Sequence, residues 1–184
     1  MRKPKPLLPL LGKPVICHCL DTLVQAGVED IVLVVRAADV ALVEAVSGYS
    51  LVFASNPRQD SEMADSIRLG LAAVDPAATG ILVCLADHPL VRPSTVAALN
   101  EHHQAKPRMI IQPGFRGRKG HPVMFPANVL REVQNCSTLR EVVRADPGRV
   151  EIHETTDPGV VLDMDTPADY ARVCELAAQR PSFP

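Results

Sequence analysis

Apolar residues recur along the chain with two alternating periods. Over residues 13–26, Val15, Ile16, Cys19, Leu20, Leu23 and Val24 fall at helical spacing, with Pro14 suited to the first turn and Gly27 to the end. Residues 30–35 are instead a continuous run rich in β-branched side chains, as in a strand covered on both faces. A helix is predicted over 39–46, a short strand over 51–54, and a helix over 62–74 with Ile67, Leu71 and Val74 on one face. Residues 80–86 read as a second buried strand. Residues 93–103 read as a helix opened by Pro93 or capped by Ser94.

The second half is less regular. Residues 108–112 and 122–125 read as strands flanking a glycine-rich turn over 114–120. Residues 128–134 and 138–145 carry helical patterns, and 150–153 and 160–164 read as extended. Thr166-Pro167 starts a last helix to about residue 178, with Tyr170, Val173, Cys174 and Ala177 inward. A loose tail follows over 180–184. Strands alternating with helices predict an α/β fold: a Rossmann-like, mostly parallel sheet with helices on both faces, in one domain over 1–179. Ligands of such sheets sit beyond the carboxyl ends of the strands, here the loops after Val35, Ala54 and Ala86.

Composition narrows the function. The 184 residues are 47% hydrophobic and 22% charged, enough to bury a core and to exclude disorder. A net charge of −2, with 3% aromatics and no Trp, leaves no basic field or stacking platform for nucleic acid. No run approaches the roughly 18 apolar residues of a membrane helix, and the N-terminal charges lead into no long apolar segment. Five scattered cysteines suggest free thiols and a cytoplasmic setting. Cys17-His18-Cys19 reads as part of a buried helix rather than a metal fragment, because neighbours there face different ways. No nucleophile elbow or zinc spacing is present.

Acidic residues carry the sharpest chemistry. Asp87 stands where the strand over 80–86 ends; it either holds a divalent cation or caps the turn before Pro89. In Asp163-Met164-Asp165-Thr166-Pro167, alternation puts Asp163 and Asp165 on one face. Either Asp165 or Thr166 could cap the following helix, leaving a carboxylate for metal. Lys3, Lys5 and Lys13 form a basic stretch that charge alone reads as a solvated patch. Ser66 lies in a polar helix start able to face a base or sugar, or simply to cap. Arg118 and Lys119, with Gly120, His121 and Pro122, suit an anionic second substrate or a hairpin tip.

These segments together resemble a known family. Lys5-Pro6-Leu7-Leu8-Pro9-Leu10-Leu11-Gly12-Lys13-Pro14-Val15 resembles the K-x-L-L-P-L-x-G-K-P-L segment of the nucleotidyltransferases that make molybdenum cofactor dinucleotides. Leu85-Ala86-Asp87-His88-Pro89-Leu90-Val91 resembles their L-A-D-M-P-L-V. Gly120-His121-Pro122-Val123 resembles G-H-P-V, and residues 163–169 resemble D-I-D-T-P-E-D. The likeness spans nearly the whole chain in motif order and is nearest to the molybdenum cofactor cytidylyltransferases. It implies transfer of CMP from CTP to molybdopterin with release of pyrophosphate, Mg²⁺ as cofactor, and a recipient molybdoenzyme as a further partner. It assigns Lys5 to the triphosphate, and Asp87 together with Asp163, or with Asp165 as its rival, to the metal. Ser66 falls near the cytosine, and Gly120, His121 and Pro122 line the molybdopterin pocket. Such chemistry needs positioning, metal and a cation but no covalent nucleophile. The family opens on a strand and glycine-rich loop ahead of the lysine that this sequence does not show. The expectation is therefore a sheet without its first strand, and weak or absent activity of the chain as it stands. Rival readings are guanylyl transfer from GTP, transfer onto a sugar phosphate, or a non-catalytic protein that holds and delivers the cofactor.

Overall fold

A computed structural model describes residues 4–58 and 60–179. The expectations for Lys3 and for the tail over 180–184 fall outside them. After a 3-10 turn at Lys5–Leu7, strands β1 (Pro9–Leu10) and β2 (Lys13–Pro14) form a tight hairpin. Its turn needs positive φ at Leu11 (45°) and Gly12 (87°), which glycine adopts without a Cβ penalty. The hairpin hands the chain to α1 (Val15–Gln25).

Strand β3 (Val32–Arg36) pairs parallel with β4 (Val52–Asn56) across α2 (Val40–Ala45). Helix α3 (Met63–Leu71) leads to β5 (Gly80–Val83), and α4 (Pro93–Ala105) to β6 (Ile110–Phe115). Then come β7 (Arg118–Lys119), β8 (Val123–Pro126), α5 (Ala127–Leu130), α6 (Leu139–Ala145), β9 (Val150–Glu154) and α7 (Pro167–Ala178). The order β5-β8-β6-β7, with β9 parallel to β6, makes a separate five-stranded sheet.

This sheet is mixed, not mostly parallel as the sequence pattern suggests. Strand β8 runs antiparallel to both β5 and β6, and β7 antiparallel to β6. The short glycine-containing turn at Arg116 and Gly117 permits the hairpin, which a parallel crossover could not span. Helices cover both faces. Ile110, Val123 and Phe125 pack with Ala64 of α3, Val129 and Leu130 of α5, and Val142 of α6. The alternate residues Ile111 and Met124 pack with Leu99 of α4 on the opposite face. Around β3, Val35 meets Ile16, Cys17 and Leu20 of α1 and Leu42 of α2.

Several predicted elements shift. Strand β5 ends at Val83 rather than at residue 86, because its partner begins at Val123 and the preceding Pro122 has no N–H to donate. Cys84, Leu85 and Ala86 therefore form a loop. The helix predicted over 128–134 divides into α5 and a 3-10 turn at Arg131–Asn135. Residues 160–164 are not a strand: Asp157 accepts a hydrogen bond from the Gly159 amide (2.9 Å) and folds Pro158–Val161 into a 3-10 turn.

Strands β3 and β4 form a sheet of their own, so among the described residues the outer edges of β3 and β5 have no ladder partner.

Candidate active site

The site gathers where the β5 loop, the start of the chain and the segment before α7 meet. Met164 is buried with Leu10, Val15 and Leu90, and Val173 of α7. Its neighbours Asp163 and Asp165 are both exposed, as alternation about an inward side chain requires. Thr166, not Asp165, caps α7: its hydroxyl accepts from the Asp169 amide (3.2 Å), and Asp169 accepts from the Thr166 amide (2.8 Å). Both candidate carboxylates are thus released from capping.

Lys5 lies among three acids. Its ammonium donates to Asp165 (2.9 Å), and that bond, aided by the charges of Asp165, Asp87 and Asp163, raises its pKa. Asp87 accepts from His88 Nδ1 (2.8 Å), which holds its carboxyl below the ordinary range; burial opposes this and Lys5 assists. The His88 ring meets His121 edge-on, with centroids 5.4 Å apart. Burial, then His88, pushes the His121 imidazole down to about 4, while Asp87 and Asp163 pull it back. Its Nδ1 is buried without a hydrogen-bond partner among the described residues. His88, His121 and Pro122 line a narrow crevice of about 20 Å³, room for about one water.

Gly120 explains how this loop is held. Its amide donates to Pro113 O and the next amide, of His121, donates to Val160 O, each at 2.8 Å. A Cβ on Gly120 would fall on the Val160 carbonyl, so only glycine fits. The His121-Pro122 peptide is cis.

The fold thus brings Lys5, Asp87, Asp163, Asp165, Gly120, His121 and Pro122 into one neighbourhood. Ser66 lies in another. A pocket of about 290 Å³ opens at the carboxyl ends of β3 and β4, lined by Val34, Arg36, Asn56, Ser61, Glu62 and Ser66. Buried Asn56 donates to the hydroxyls of Ser61 (2.8 Å) and Ser66 (3.3 Å) and accepts from the Arg58 amide (3.0 Å). Lys13 pairs with Asp21 instead of joining the Lys5 cluster. Arg118 and Lys119 are exposed on β7.

Sequence reasoning gave no role to His88, Asn56 or Asp157. His88 stood beside Asp87 in plain view. Asn56 and Asp157 are polar residues whose burial (4% and 1% exposed) only the fold reveals. Asp157 accepts from the Arg92 amide (2.7 Å) and the Thr95 hydroxyl (2.8 Å), tying the start of α4 to the 3-10 turn that carries Val160. Among the described residues, no three His, Cys, Asp or Glu side chains are gathered to hold a metal ion unaided. Of the two rivals for a place beside Asp87, Asp165 is engaged by Lys5 and Asp163 is not. Two carboxylates remain, the number a hard cation takes when phosphates complete its shell.

Residues 1–150 match the family model described as the MobA-like NTP transferase domain. The chain belongs to that family. It is 27% identical over 176 residues (90% of this chain, 85% of the relative) to the nicotine blue oxidoreductase of Paenarthrobacter nicotinovorans. The solved structure of Rv0371c from Mycobacterium tuberculosis is 29% identical, with TM-score 0.80 over 95% of this chain and 90% of that one. A structure of the same Rv0371c in complex with manganese aligns with TM-score 0.74 over 94% and 92% at 29% identity. A nucleotidyl transferase from Methanothermobacter shares the fold at 23% identity, with TM-score 0.83 over 95% and 85%. As a MobA-like NTP transferase the protein is a nucleotidyltransferase enzyme of Rossmann-like α/β fold. No helix among the described residues is long and apolar enough to cross a membrane.

Proposed function

We propose that this MobA-like chain transfers CMP from CTP to molybdopterin and releases pyrophosphate. The observation that carries the reading is the placement of one lysine, Lys5, among Asp87, Asp163 and Asp165, with the Gly120-His121-Pro122 loop beside them. The acceptor phosphate oxygen attacks the α-phosphorus of CTP; the bond from that phosphorus to the β-phosphate bridging oxygen breaks, and pyrophosphate carries away the electron pair. Lys5 leaves Asp165 to neutralise the departing charge, and needs no proton transfer to do so. Asp87 and Asp163 are the residues that would hold Mg²⁺. When bound, that ion supplies charge neutralisation at the phosphates. The pocket around Asn56 takes the base: the Ser66 hydroxyl accepts from Asn56 and keeps its own O–H to donate to a cytosine acceptor. His121, held neutral, lines the acceptor side. The setting is cytoplasmic, with a molybdoenzyme receiving the product.

The test is pyrophosphate release from CTP, Mg²⁺ and molybdopterin, with GTP, ATP and sugar phosphates as competing arms. The expected result is CTP- and molybdopterin-dependent release that falls about 100-fold in Lys5→Ala. Release with GTP alone, release onto a sugar phosphate, or cofactor binding without nucleotide affinity would each replace this reading.

A further inference from the structure

We propose that His88 is a positioning residue, fixing the Asp87 carboxylate toward Lys5 while bracing His121. The inference rests on the assignment of Asp87 to the metal–nucleotide site. Asp87 stands on a loop that has left the β5 ladder, so no strand pairing restrains it. Its side chain is instead anchored by an imidazole only 8% exposed, through His88 Nδ1 to Asp87 Oδ1 at 2.8 Å. Of the three carboxylates near Lys5, Asp87 alone is hydrogen-bonded to a buried side chain among the described residues; the partner of Asp165, Lys5, is itself 47% exposed. The same His88 ring lies edge-on to His121 at an interplanar angle of 61°. One buried ring therefore touches both the carboxylate and the wall of the acceptor side. With Asp87 ionised, Nδ1 carries the shared proton. A carboxylate held in this way pays no reorganisation when substrate arrives.

Two substitutions separate this role from plain packing. His88→Met fills the space but removes the donor. His88→Asn restores a side-chain N–H near Nδ1 at the expense of volume. In the metal-free protein, nitrogen NMR should show a slowly exchanging proton on His88 Nδ1 that is lost in Asp87→Ala. The affinity for Mn²⁺·CTP, read by electron paramagnetic resonance, should fall about 10- to 100-fold in His88→Met and stay within about threefold in His88→Asn. If packing alone matters the order reverses, Met retaining affinity and Asn losing it. That reversal, or an unprotonated Nδ1, overturns the role of His88 alone. Failure of the unsubstituted protein to bind Mn²⁺·CTP overturns the nucleotide reading, and this role with it.

Discussion

His121 shows how one side chain reports its surroundings. Its imidazole ordinarily titrates near 6.5, and in the fold near 4, because burial and the neighbouring His88 disfavour the cation more than Asp87 and Asp163 favour it. The sign of the pH effect follows. Between those two values the unfolded chain binds the proton and the folded chain does not, so stability that is complete above about pH 6.5 is lost as pH falls toward 4. The melting temperature should decline over that window and decline less in His121→Asn. An identical slope in the variant would remove His121 from the account. Buried His103, whose ring burial also lowers its pKa, supplies part of the remaining slope. A neutral His121 can hydrogen-bond an acceptor but brings no charge to it. Positive charge at the site comes from Lys5, which Asp165 holds in an exposed, easily exchanged pair.

At the level of elements, the loops rather than the strands decide the site. Strand β5 stops at Val83, releasing the Asp87 loop, and the 3-10 turn at Pro158–Val161 brings Val160 against Gly120. Replacing Gly120 by Ala forces that turn and the His121 loop apart. The expected cost is about 1–3 kcal/mol in urea unfolding, with a larger loss in binding at the side proposed for the acceptor than in nucleotide affinity. A neutral effect would mean that the turn moves freely. Helix α7 illustrates the opposite case, a local device read from sequence: Thr166, Pro167 and Asp169 start the helix through their own contacts.

For the whole molecule, the division of the described strands into separate sheets sets where stability resides. Strand β6 is paired on both sides, and Ile110 and Ile111 are fully buried. Strands β3 and β5 each have an edge without a ladder partner among the described residues, although Ala86 beyond β5 packs into the core beneath β3. Hydrogen exchange should therefore be slowest in β6, and amides aimed at the open edges of β3 and β5 should exchange orders of magnitude faster. Equal protection would show that those edges are covered in solution. The exposed Val52 and Phe53 on β4 add to the surface open to association.

Local patterns in the sequence determined the helices α1, α4 and α7 and the apolar runs at β3 and β5, which read as covered on both faces but are largely half-buried, with only Val35 and Val83 buried. Periodicity and capping act between near neighbours, so the chain alone carries them. The antiparallel course of β8, the early end of β5, the split sheet and the separation of Ser66 from the carboxylates were decided by tertiary structure. Each depends on which distant segment supplies hydrogen bonds or fills space. Thus Pro122 ends a ladder only because β8 lies against β5, and His88 can anchor Asp87 only because the fold buries its ring.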